Sequence, residues 1–252
     1  DLPQIGWMKL RWLRWLTERG EWSTFADYYD PALNFTELDC LYGQYLFRAN
    51  LPVEAAAQAQ KLWLVGKSQP EACDALFSQW QRSGGLTDAL RWQRAKLAAE
   101  AGQYGLATSL IRQVPGLGQK GSLLVEVAQK PQLLKQTGKF VPADRQMADV
   151  VGLGLRRMAR QNPEQAIEWL EFYGNRLPFS SEEKVAIARS IGLTLAKRFD
   201  ARALKVMAQY DPELRDNTVS EWRARLLLRL GRWNEAHELT LKLPTELAAT
   251  PR

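Results

Sequence analysis

Apolar residues recur at intervals of three and four along nearly the whole chain, and nowhere do they alternate in twos over the length of a strand. The first spacing puts side chains on one face of a helix, whereas alternation would put them on one face of a sheet. Ile5, Met8, Trp12, Trp15 and Leu16 form such a stripe near the start, and Val219, Trp222, Leu226 and Leu230 form another near the end. Leu, Ala, Arg, Gln and Glu dominate, all good helix formers. An all-α fold follows.

The helix breakers fall between these segments. Asp30-Pro31, Leu51-Pro52, Gln69-Pro70, Asn162-Pro163 and Asp211-Pro212 each set a proline where a helix ends or begins. The spacing predicts helices over about 35–49, 52–64, 71–82 and 181–197, the last capped by Ser180 with Glu183 three residues on. Between Pro115 and Pro131 the cluster of Gly116, Gly118 and Gly121 predicts only a short helix.

A repeat runs through the chain. Gly20 with Trp22, Phe25 and Ala26, Gly102 with Tyr104 and Ala107, and Gly231 with Trp233 and Ala236 share one pattern: glycine, any residue, an aromatic, two residues, then a small or apolar residue. Looser copies fall at Asn50 with Ala55, Asn162 with Ala166, and Phe199-Asp200 with Ala203. Glycine supplies the left-handed residue that ends a helix, the aromatic wedges between paired helices, and alanine lets their backbones approach. Helix hairpins of this kind cannot bury their apolar faces alone and stack into a solenoid. The 252 residues therefore read as one α-α superhelix of irregular TPR-like hairpins.

Composition narrows the function. No run of eighteen apolar residues exists, so no membrane-spanning helix is expected. The first residues, Asp1-Leu2-Pro3-Gln4, lack the basic start and apolar stretch of a secretory signal, which was never present or has been removed. The net charge of +6 favours polyanionic surroundings, but the charges are mixed, with Lys9, Arg11, Arg14 and Arg19 lying among Trp, Leu and Glu18. Without a one-sided basic stripe, nucleic acid is not an expected partner.

Candidate chemistry is sparse. The single histidine, His237, sits in a polar helical stretch with no nucleophile arranged beside it. Gly66-Lys67-Ser68 has Lys61 where a phosphate loop needs glycine, and Gly152-Leu153-Gly154 runs on to Arg157 where a dinucleotide fingerprint needs its third glycine. Glu164 and Glu182-Glu183 read as solvated caps and faces rather than a desolvated acid pair. The ten tryptophans read mostly as interhelical packing, with one or two left to touch a glycan. Two cysteines and one distant histidine are too few to hold a metal. Cys40 and Cys73 fall on equivalent helices of adjacent units, close enough either to pair or to remain buried thiols.

The stretch from Lys61 to Trp80, KLWLVGKSQPEACDALFSQW, resembles the helical domain of the soluble lytic murein transglycosylases of the bacterial periplasm. Leu38-Asp39-Cys40 with Tyr42, Ser220-Glu221-Trp222-Arg223, and the turn from Gly231 to Ala236 are similar to other parts of that family. The resemblance implies a curved, U-shaped superhelix that a linker domain closes into a ring, followed by a lysozyme-like domain. Family members cleave the β-1,4 bond between N-acetylmuramic acid and N-acetylglucosamine, leaving 1,6-anhydro ends. Their catalytic glutamate lies in the later domain, in an E-S-x-x-x-P context, and neither a Glu-Ser pair nor an A-Y-N-A-G pattern occurs before Arg252. The resemblance thus implies a non-catalytic segment of a longer enzyme, with no catalytic residue, cofactor or metal of its own. It also implies a Cys40–Cys73 disulfide, a periplasmic location, and peptidoglycan strands met through the intact enzyme. Further partners would be the linker and catalytic domains of the same protein, and other cell-wall proteins. The rival reading is a TPR-like scaffold whose groove grips a protein.

Overall fold

The computed structural model describes residues 3–243, and every regular element among them is helical. The chain folds as two compact units, residues 1–118 and 119–252.

In the first unit α1 (Pro3–Glu18) and α2 (Trp22–Tyr28) form one hairpin, and α3 (Thr36–Arg48) and α4 (Pro52–Trp63) form the next. There follow α5 (Ala72–Arg82), which packs on α3 and α4, and the hairpin of α6 (Asp88–Glu100) with α7 (Tyr104–Arg112). In the second unit, α8 (Gly118–Gln129) precedes three hairpins. These are α9 (Arg145–Gln161) with α10 (Pro163–Gly174), α11 (Ser181–Ala196) with α12 (Arg202–Tyr210), and α13 (Asn217–Arg229) with α14 (Trp233–Leu241). Their first helices stack in succession, α9 on α11 and α11 on α13, which is the packing of a helical repeat. The glycines around α8 do not shorten it. The helix runs for 12 residues, because Leu123, Leu124 and Val127 bury its apolar face.

The repeated turn has one geometry. Gly20, Gly102 and Gly231 take φ of 79°, 79° and 69°, and Asn50, Gly84 and Phe199 are also left-handed. The next residue in each case donates its N–H five residues back: Glu21 to Leu16, Leu51 to Leu46, Gly85 to Trp80, Gln103 to Ala98, Asp200 to Leu195 and Arg232 to Leu227. This is the Schellman closure, which satisfies carbonyls that a helix end leaves open. The copy at Asn162 differs. Its backbone is extended at φ −137°, and its side chain instead accepts from the Gln165 N–H as an N-cap. Ala55, Ala107, Ala166, Ala203 and Ala236 are all buried where partner helices close up.

Of the stripe expected on α1, only Leu16 turns inward and the rest faces outward. Leu10, Leu13 and Leu16 enter the core with Phe25 and Leu38, while Ile5, Trp7, Met8, Trp12 and Trp15 are exposed. Both stripes have helical spacing, and the leucines fill the space under α2 and α3. Four of the ten tryptophans, Trp7, Trp12, Trp15 and Trp233, are exposed, more than packing alone predicts. The wedge role therefore holds at Trp22, which packs edge-on against Phe25, but not at Trp233, which is 65% exposed.

Candidate functional site

The stretch from Lys61 to Trp80 is held by contacts from its own side chains and from α6. Trp63 donates its indole N–H to the Leu90 carbonyl at 3.2 Å and meets Phe77 edge-on at 5.0 Å. Arg94, from α6, lies over both rings at 4.2 and 5.5 Å and donates to the Lys67 carbonyl at 3.3 Å. Burial lowers its pKa, with Asp74 acting in the opposite sense. Gln69 closes the loop with a 2.5 Å bond to the Leu62 carbonyl. Gly66 lies in the bend that follows α4. A Cβ there would come within 2.5 Å of the Leu97 carbonyl, so glycine is required for two backbones to touch.

Cys40 on α3 and Cys73 on α5 form a disulfide with their Cα atoms 4.9 Å apart, both fully buried. Around it, Gln44 donates to the Ala72 carbonyl at 2.7 Å, Gln58 to the Asp39 carbonyl at 3.2 Å, and the Tyr29 hydroxyl to the Asp39 carboxylate at 2.7 Å. Burial first, then this bond to Asp39, holds the Tyr29 phenol far above its ordinary range. Tyr29 and Tyr42 stack at 4.2 Å. Arg94 and the Gln44 tether were invisible to sequence reasoning, because each partner lies at least one helix away along the chain.

Glu164, Glu182 and Glu183 are each engaged by other groups. Glu183 is not a solvated cap residue. It is 8% exposed and paired with the buried Arg156 of α9, while Ser180 caps α11 through the Glu183 N–H as expected. Gly152 makes room for that carboxylate, and Gly154 for Val127, so the two glycines serve helix packing. Glu164 is exposed and pairs with Arg202 at 3.2 Å. Asp200 is held below the ordinary carboxylate range by its side-chain bond to Arg202. The backbone and Ser180 hold Glu182 down. For Asp144 burial pulls upward, but the bonds from Lys120 and the Met147 N–H prevail and hold it down. A general acid needs the opposite shift. His237 lies exposed on α14.

Among the described residues, no three His, Cys, Asp or Glu side chains gather to hold a metal, and no helix is long and apolar enough to cross a membrane. Two surface features remain. On α1 the exposed Met8, Trp12 and Trp15 are flanked by Arg11 and by Arg19, whose guanidinium lies 4.7 Å from the Trp15 ring. In the second unit a cavity of about 490 Å³ opens between α12, α13 and α14.

The family signature described as Cucumovirus coat protein matches residues 42–128, roughly a third of the chain, which is too little to assign a family. A soluble lytic murein transglycosylase of Escherichia coli K12 is 31% identical over 166 residues, 66% of this chain and 26% of that protein. One from Salmonella typhimurium is 29% identical over 252 residues, covering 97% of this chain and 38% of its own length. Among solved structures, an inactive mutant of the lytic transglycosylase Slt from Pseudomonas aeruginosa is 64% identical, with a TM-score of 0.92. That match covers 99% of this chain and 41% of the other. The 70 kDa soluble lytic transglycosylase of Escherichia coli shares the fold, with a TM-score of 0.63 at 24% identity. The chain spans well under half the length of the relatives it matches. These likenesses place it in the soluble lytic murein transglycosylase family, as an N-terminal superhelical part.

Proposed function

We propose that these residues form the non-catalytic superhelical scaffold of a periplasmic enzyme that cleaves the β-1,4 bond between N-acetylmuramic acid and N-acetylglucosamine, leaving 1,6-anhydro ends. The observation that carries this reading is the likeness to Slt over 99% of the chain. In this reading the 252 residues act as one scaffold domain beside linker and catalytic domains, and guide wall strands toward them. The Cys40–Cys73 disulfide supports an oxidising compartment such as the periplasm. Exposed tryptophans beside arginines suit a polymer with sugar faces and carboxylates.

Incubation of the purified chain with isolated cell wall tests this. The chain should sediment with the wall and release no anhydro-muropeptides. Release by this chain alone, or failure to bind wall while capturing a protein, would overturn the reading.

A further inference from the structure

The cavity between α12, α13 and α14 has a chemistry of its own. Its floor is apolar, built from Leu204, Leu227 and Leu239. Its size falls within the range that holds a drug-sized molecule or a short peptide. The charges around it are not used equally. Arg232 is committed to Glu235 through two bonds of 2.6 and 2.5 Å, and Lys205 lies 3.5 Å from Glu171. Arg223 is half-buried, and its bond to the Asp211 carbonyl is a long one, 3.4 Å from Nη1. Burial lowers its pKa, and the buried Asp211 carboxylate acts on it in the opposite sense. Lys242 and Glu238 complete the lining at the end of α14.

We propose that this cavity binds a short peptide of the cell wall, with Arg223 and Lys242 taking a carboxylate and Glu238 an ammonium group. A neutral sugar would not use these three charges, and a purely anionic polymer would leave Glu238 without a partner. Small side chains fit over the leucine floor. The choice of a wall peptide over any other rests on the proposed function. The charge pattern and the cavity stand apart from it.

Isothermal titration of the 252-residue chain tests the inference, with three probes: the tetrapeptide Ala-Glu-Lys-Ala, its C-terminal amide, and a peptide-free oligomer of N-acetylglucosamine. The free acid should bind, and the amide about tenfold more weakly or worse, as loss of a charge-assisted bond requires. R223Q and K242Q should each weaken the acid by about tenfold, K242Q without changing the thermal unfolding of the chain. Lys242 is exposed, so K242Q stays informative if R223Q fails to fold. No binding, equal binding of acid and amide, or wild-type affinity in K242Q would overturn the inference. So would loss of peptide binding in the full-length enzyme because later chain fills the cavity. If the chain binds peptide-free glycan but not the tetrapeptide, the inference falls and the scaffold function stands. If the tetrapeptide binds but isolated wall does not, the function falls instead.

Discussion

The guanidinium carbon of Arg94 lies 4.2 Å from the centre of the Trp63 ring, and the side chain carrying it is only 4% exposed. A buried cation is thus stacked on an indole, with Phe77 on its flank and the Lys67 carbonyl as acceptor. Arg94→Ala should lower the stability of the first unit by about 2–4 kcal/mol, from lost stacking and the space left behind. Arg94→Lys should recover little of this, because an ammonium offers no plane to the ring. Urea unfolding followed by tryptophan fluorescence measures both. Equal stability of the lysine variant and the native chain would show that charge, not stacking, holds the site.

The disulfide ties α3 to α5 across the intervening α4, closing a loop of 33 residues. In the chain-entropy account such a loop contributes about 4 kcal/mol. Cys40→Ala with Cys73→Ala should lower the guanidinium midpoint of the first unit and leave the transition of the second in place. Two transitions moving together would contradict the division at residue 118.

Arg156 and Glu183 join α9 to α11 inside the second unit. Removing one partner leaves the other charge in the interior, so Glu183→Ala should cost about 3–5 kcal/mol. Replacing both, as Arg156→Met with Glu183→Leu, should cost much less. Gly152→Ala should resemble the single change, because the new methyl would occupy the place of the carboxylate. A double-mutant cycle on thermal unfolding reads the coupling.

Tyr173 donates its hydroxyl to the Leu134 carbonyl at 2.7 Å, and burial pushes its pKa from 10.0 up to about 12. The folded state therefore holds this proton more tightly than the unfolded chain. Its contribution is complete below pH 10 and is lost as pH rises toward 12, about 2–3 kcal/mol in all. Phenolate absorbance should show late-titrating tyrosines, Tyr29 and Tyr210 among them, and Tyr173→Phe should remove one. That variant should also flatten the alkaline fall in stability.

The local rules of the chain settled its helices. Proline before a helix, glycine or asparagine after one, and Ser180 ahead of α11 act within a turn of their own positions, so the ends near 48, 63, 82 and 196 were legible to within a residue or two. The turns at Gly20, Gly102 and Gly231 were legible for the same reason, and the stretch at 61–80 through its resemblance to a family. What tertiary structure alone decided was which helical face turns inward and which charges go with it. On α1 a leucine stripe and a tryptophan stripe have the same period, and the fit beneath α2 and α3 selects the leucines. Glu183 looks like a cap residue until α9 brings Arg156 to it from 27 positions away. Gly43, Gly66 and Gly152 look like weak points in the sequence, yet each is a place where Leu76, the Leu97 carbonyl or Glu183 comes too close for a side chain. Such approaches depend on shape and distance between segments remote in sequence, and no local pattern encodes them.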